Sequence, residues 1–184
     1  MNTFRLLLCL LSCCLIGASY PALVSAKDNK PVMKLSSPSF RDSGSIPKIH
    51  SCSGGDIAPA LQWSNLPPNT QSLALIVDDP DVPNRHRPAM TWTHWVLYNI
   101  PSTVSGLPEN TNAHNLPAGT LEGQNSWKST GYRGPCPPVG IHRYFFKLYA
   151  LDSQLPDLHK PKKEALERAM GGHIIGRAVL VGKY

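Results

Sequence analysis

The chain has little that would commit it to a membrane, a nucleic acid or a familiar catalytic apparatus. Leu6 to Ala18 is an apolar stretch of 13 residues, too short to prefer a membrane span. There is no HExxH, no GxSxG and no paired CxxC, so the usual zinc-protease, serine-hydrolase and zinc-ribbon signatures are missing. No internal repeat and no low-complexity linker divides the 184 residues, and one domain is the natural expectation. There is no RNA-binding signature and no basic stripe with interleaved aromatics. The formal charge of +6 is spread out, with Lys160, Lys162 and Lys163 as the one basic cluster, and that cluster reads as a solvated face. Nucleic acid is therefore not an expected partner. A mild attraction to anionic surfaces is all the charge supports.

The first 26 residues read as a signal peptide. Arg5 gives a positive start, the apolar stretch follows, and Val24-Ser25-Ala26 places small residues at a cleavage site. The expected mature domain spans 27–184, periplasmic or secreted. Leu10-Leu11-Ser12-Cys13 also resembles a lipobox, which makes lipid anchoring at Cys13 the alternative. Cleavage after Ala26 removes Cys9, Cys13 and Cys14 and leaves Cys52 and Cys136. Two cysteines in an exported chain suggest one disulfide, with two buried thiols as the other reading.

Eighteen prolines and 14 glycines keep the elements short. Ser72 to Val77 read as a buried strand, and Thr91 to Ile100 and His142 to Leu151 as further strands. His173 to Val181 is a candidate last strand. Pro161 to Met170 is the one convincing helix, ended by Gly171-Gly172. The fold class is mostly β, expected as an antiparallel sandwich with one or two short helices.

Two polar motifs carry the chemistry. Asp78-Asp79-Pro80-Asp81-Val82-Pro83 precedes Trp92-Thr93-His94-Trp95, and Gly134-Pro135-Cys136-Pro137-Pro138 precedes His142-Arg143-Tyr144. Pro80 and Pro83 fix φ around the two aspartates, so the chain is expected to leave its strand there in a stiff turn. Brought together, these residues would form a small pocket of carboxylates, imidazoles and peptide N–H groups, suited to a phosphate-like anion. Trp92 is a candidate lining residue, and Trp63, Trp95 and Trp127 are expected in the core. Arg143 should point away from His142 and Tyr144 toward the same side as His142. His50, His86, His114, His159 and His173 have no supporting motif. A carboxylate beside either pocket histidine would favour imidazolium, which resolves the repulsion between aspartates and an anion.

These motifs, with Cys52-Ser53-Gly54-Gly55-Asp56, Leu61-Gln62-Trp63-Ser64 and His94-Trp95-Val96-Leu97-Tyr98-Asn99, resemble the phosphatidylethanolamine-binding protein family, its bacterial branch most closely. The resemblance runs from about Met33 to Tyr184. It implies an antiparallel β-sandwich with an anion pocket on Asp79, Asp81, His94 and His142, and with Gly134, Pro137 and Tyr144 at the rim. It also implies a non-enzymatic binding protein without a cofactor, for a small anionic or phosphorylated ligand such as a phospholipid head group. Kinase- or protease-inhibitor-like modulation is implied at family level alone. The competing class is a metal-dependent or acid/base hydrolase built on the same four residues. Monomer and homodimer are both open.

Overall fold

The structure, a computed structural model, describes residues 32–184. The leader, its cysteines and the polar lead to Pro31 lie outside the described residues.

Two sheets form the body. A three-stranded sheet runs in the order β1 (Lys34–Ser36), β3 (Leu61–Ser64), β6 (Gly106–Leu107). A six-stranded sheet runs β2 (Gly44–Ser45), β9 (Ile174–Lys183), β8 (Arg143–Leu151), β4 (Ser72–Val82), β5 (Met90–Pro101), β7 (Leu121–Glu122). All pairings are antiparallel except β2 with β9. Among the described residues one α-helix, α1, spans Lys163–Met170, and a short 3-10 turn spans Lys48–His50.

The central strand β4 explains why the apolar run is continuous rather than alternating. Successive side chains point to opposite faces, and both faces of β4 are covered. Leu73, Leu75 and Val77 pack into the core between the sheets with Trp63, Leu97, Phe146 and Leu148. Ala74 and Ile76 pack on the other face with Val96, Tyr98 and, from α1, Leu166 and Met170. The same alternation carries into the acidic end of β4, so Asp78 falls on the helix side and Asp79 on the sandwich side.

Three expectations are corrected. The Asp-Pro-Asp segment is not a turn after the strand: β4 continues through Val82, and its partner accommodates it by a register irregularity between Asp79 and Val82. The helix begins at Lys163 rather than Pro161. The Pro161 carbonyl accepts the Gln124 N–H, and Lys162 bridges Gln124, which holds this lead extended. Lys163 also departs from the solvated-face reading. Its ammonium lies 3.3 Å from the fully buried Asp78 carboxylate, which Lys147 approaches to 2.7 Å. Burial alone pushes the Lys163 ammonium down, but Asp78 and Glu167 carry it above its ordinary value.

Candidate anion site at the acidic end of the central strand

Asp79 is the pivot. It is 3% exposed, and both carboxylate oxygens are held. Oδ1 accepts the Asp81 N–H at 2.8 Å, and Oδ2 lies 2.7 Å from His142 Nδ1. His142 is itself pinned, since its N–H and carbonyl exchange hydrogen bonds with Tyr184. The Tyr184 hydroxyl in turn reaches Ser51 and Ser53. The carboxylate thus has one orientation, fixed from its own strand and from the start of β8.

His94 reaches the same place by a bulge. Val77 pairs with Trp95 and Asp78 with Thr93, so His94 is the extra residue in β5. A bulge breaks the alternation and re-aims a side chain. Here it brings the imidazole against Tyr144 on the sandwich side, ring centroids 5.2 Å apart and nearly perpendicular. His94 is 2% exposed, and its Nδ1 is 2.6 Å from the Arg133 carbonyl oxygen. A carbonyl only accepts, so Nδ1 carries the proton and Nε2 is left for a ligand. Burial holds this imidazole below the ordinary histidine value and outweighs the raising effects of the Arg133 carbonyl and of Asp79. The expectation that a neighbouring carboxylate makes this histidine an imidazolium is therefore corrected. At neutral pH the ligand-free ring is neutral because desolvation wins.

Asp79, Val82, Trp92, His94, Trp127, Cys136 and Pro138 line a cavity of about 280 Å³. Trp92 pairs in register with Asp79, which puts it on the same face. Trp127 stands edge-on to both Trp92 and His94, at 5.4 and 5.2 Å. A larger depression of about 550 Å³ lies near Tyr98, Asp157 and His159. It offers no buried ionisable pair: the His159–Asp157 contact is largely solvent-exposed.

The eight residues named from the sequence divide by position. Asp79, Trp92 and His94 face the cavity. His142 is fully buried behind Asp79 and touches it from the rear. Tyr144 lies beneath rather than at the rim, 1% exposed, with its hydroxyl close to Asp79 but in no hydrogen bond of good geometry. Asp81 turns to Arg143: its oxygens accept the Arg143 N–H at 3.0 Å, Nε at 2.9 Å and a terminal nitrogen at 2.7 Å. That guanidinium, more than any other group, holds the Asp81 carboxyl below its usual range. Gly134 is buried under the rim, where its N–H donates to Asp56 Oδ1 at 2.7 Å. A Cβ there would meet the His50 carbonyl oxygen at 2.1 Å, so only glycine fits. Pro137 is half-buried, and its neighbours Cys136 and Pro138 form the wall.

Trp127 is the residue that sequence reasoning assigned elsewhere. It is 38% exposed, not core. Asn125 sets its loop by accepting the N–H groups of Trp127 and Ser129, while Ser126 and Thr93 bond the loop to β5. The Asn two positions before the indole is the available signal, because asparagine side chains cap their own backbone two residues on. Cys52 and Cys136 form a disulfide that ties the Ser51–Asp56 loop to the cavity wall. Among the described residues, no group of three or more His, Cys, Asp or Glu side chains is placed to hold a metal ion.

Comparison with known proteins agrees with this architecture. A sequence model described as phosphatidylethanolamine-binding protein matches residues 36–184. A UPF0098 protein from Methanothermobacter thermautotrophicus is 48% identical over 153 residues, covering 83% of this chain and 98% of the relative. The crystal structure of a phosphatidylethanolamine-binding protein homolog from Chlamydia trachomatis superposes with a TM-score of 0.76 at 43% identity, covering 83% of this chain and 97% of that one. E. coli YbcL, described as a member of the mammalian PEBP family, gives 0.74 at 29% identity over the same shares. The chain belongs to the phosphatidylethanolamine-binding protein family.

Proposed function

We propose that this protein is an exported, non-enzymatic binding protein whose cavity on Asp79, His94, Trp92 and Trp127 takes a phosphodiester head group. The observation that carries the reading is the convergence of an oriented carboxylate, a buried imidazole with Nε2 free and two indoles in one small cavity. A carboxylate alone repels an anion, so the ligand needs complementary charges. A zwitterion with a phosphodiester and an ammonium meets the whole set. The ammonium pairs with Asp79 and an indole face, while the phosphodiester takes a hydrogen bond from His94 once Nε2 is protonated. Neutral histidine has no donor at Nε2, so binding of the anion draws a proton onto the ring. A hydrolase would need a metal set or a positioned nucleophile. The cavity lining instead holds no hydroxyl or free thiol, and among the described residues no group of side chains is placed to hold a metal.

The test is calorimetric titration with glycerophosphoethanolamine. Trp92→Ala and His94→Gln should each weaken binding roughly tenfold, the size of one charge-assisted hydrogen bond or one cation–π contact. Unaltered affinity in both variants would remove the site. Export is a separate part of the proposal. It rests on the leader sequence and on a disulfide of the kind that persists in oxidising compartments. N-terminal sequencing of secreted protein should begin at Lys27, and a lipid-modified Cys13 would replace that outcome with an anchored form.

A further inference from the structure

The loop that follows the lining residue Pro138 carries two apolar side chains that stand outward. Val139 and Ile141 are 63% and 64% exposed, among the most exposed large hydrophobics of the described chain. They flank Gly140, whose φ is +77° and around whose missing Cβ no heavy atom lies within 4 Å. The loop after Pro138 is therefore a projecting tip, not a wall facing another wall. Met90, 53% exposed, pairs with the lining residue Val82, and the lining residue Trp127 is itself 38% exposed.

A basic collar stands near this loop, because Asp81 is held by Arg143, two residues after Ile141, and lies close to Arg85. The β4–β5 hairpin turns through Pro83–Ala89, where the Asn84 side chain accepts the His86 and Arg87 N–H groups and shapes the tip. Arg85, His86 and Arg87 are all exposed there, and Arg85 is near enough to Asp81 to help lower its carboxyl. Lys128 is exposed beside Trp127, and the Arg133 guanidinium lies 5.9 Å from the Trp127 ring centre. Two of the nearby acids already carry a cation, Asp81 with Arg143 and Asp56 with Arg133, and Asp79 keeps its charge inside the cavity. Arg85, Arg87 and Lys128 form no ion pair among the described residues, so the collar is net positive.

We infer that this face docks onto an anionic phospholipid bilayer. Val139 and Ile141 enter the head-group boundary, and Arg85, Arg87 and Lys128 rest on the lipid phosphates. Exposed apolar patches mark interaction surfaces. Two apolar side chains on one projecting loop fit a soft, fluid boundary better than the close-packed surface of a protein. Apolar side chains inserted at the interface and arginines held over anionic head groups are the two attractions that hold a protein to a bilayer without spanning it. In this pose the cavity opens toward the layer that contains its ligand. The docking face rests on the head-group reading of the cavity, but its residues lie outside the lining.

Vesicle flotation with about three parts phosphatidylethanolamine to one part phosphatidylglycerol tests it, comparing proteins that share one N-terminus. The unmodified protein should float with the vesicles, more weakly as salt rises. Val139→Asp with Ile141→Asp should reduce partition at least tenfold and leave glycerophosphoethanolamine affinity in solution unchanged. The milder pair Val139→Ser, Ile141→Ser should lie between. Arg85→Glu with Arg87→Glu should also lose at least tenfold and flatten the salt dependence. Soluble head-group binding without flotation, or flotation indifferent to Val139 and Ile141, overturns the docking face while the cavity reading stands. Flotation that depends on these tips with no soluble head-group binding sustains the docking face and removes the cavity reading.

Discussion

The two halves of β4 are made of one continuous strand and obey different physics. From Ser72 to Val77 the strand is anonymous core: every side chain is 1% exposed or less, and apolar neighbours cover both faces. From Asp78 to Val82 three carboxylates follow, each buried, and each has a different fate. Asp78, on the helix side, takes Lys147 and Lys163 and fastens α1 to the sheet. Asp81 takes Arg143 by three donors. Asp79 alone has a titratable imidazole for its side-chain partner, and it alone faces the cavity. A buried carboxylate is tolerated when it is paired and hydrogen-bonded. What separates a structural acid from a ligand-facing one on this strand is whether the partner is a permanent cation.

The widest gap between the halves should come from cutting the core. Leu75→Ala deletes a fully buried side chain between the sheets and should cost about 4 kcal/mol in denaturant unfolding. Glycerophosphoethanolamine affinity of the folded protein should not change. If binding fails in step with stability, the two halves are not separable.

Next is Arg143→Ala, which leaves the buried Asp81 carboxylate with little beyond a backbone N–H and should cost about 3 kcal/mol. Adding Asp81→Asn should recover most of that loss, because the uncompensated charge is the problem. The pH dependence has a definite sign. The folded-state Asp81 carboxyl titrates below its unfolded value of about 3.8. Its stabilisation is therefore present above that pH and is lost as the pH falls through the folded value. The unsubstituted protein should show this acid loss, and the Arg143→Ala, Asp81→Asn pair should lack it.

Much of this division was legible in the sequence, and the illegible part has identifiable causes. The apolar run, the aromatic strand and the single late helix follow from periodicity and propensity, and the structure contains each of them. The pairing of Cys52 with Cys136 follows from there being two cysteines once the leader is set aside. The fates of Asp79 and Asp81 could not be read, because two residues apart on a strand they share a face by alternation. What distinguishes them is Arg143, whose chain neighbours indicated only that it points away from His142. His94 was named for its motif, but its aim depends on a bulge, which counts one residue against none on the partner and leaves no mark in a single sequence. Trp127 illustrates the same limit. An indole in a loop reads as core until the asparagine turn that presents it is seen.

Smaller in energy is the effect of acid on His94. Burial depresses its folded value, so the unfolded chain binds its proton first, and stability should fall as the pH drops below about 6.5. His94→Gln should remove that slope, readable as the change of melting temperature with pH. A slope unchanged in the variant would assign the acid sensitivity to other groups. Smallest is Asp79→Asn. An amide can still accept the Asp81 N–H and meet His142, so the stability cost should be about 1 kcal/mol. The ammonium loses its counter-charge, however, and glycerophosphoethanolamine should bind about tenfold more weakly. A large stability loss with intact binding would move Asp79 to the structural side of the comparison.

The most direct test of the central claim is calorimetry of glycerophosphoethanolamine binding at about pH 6 and about pH 8.5, in buffers of different ionisation enthalpy. The phosphodiester does not titrate in this range, and the proton uptake that belongs to the protein is the part that His94→Gln removes. The account predicts tighter binding at the lower pH, with proton uptake that disappears in His94→Gln. Equal affinity at both pH values with no proton uptake would contradict it.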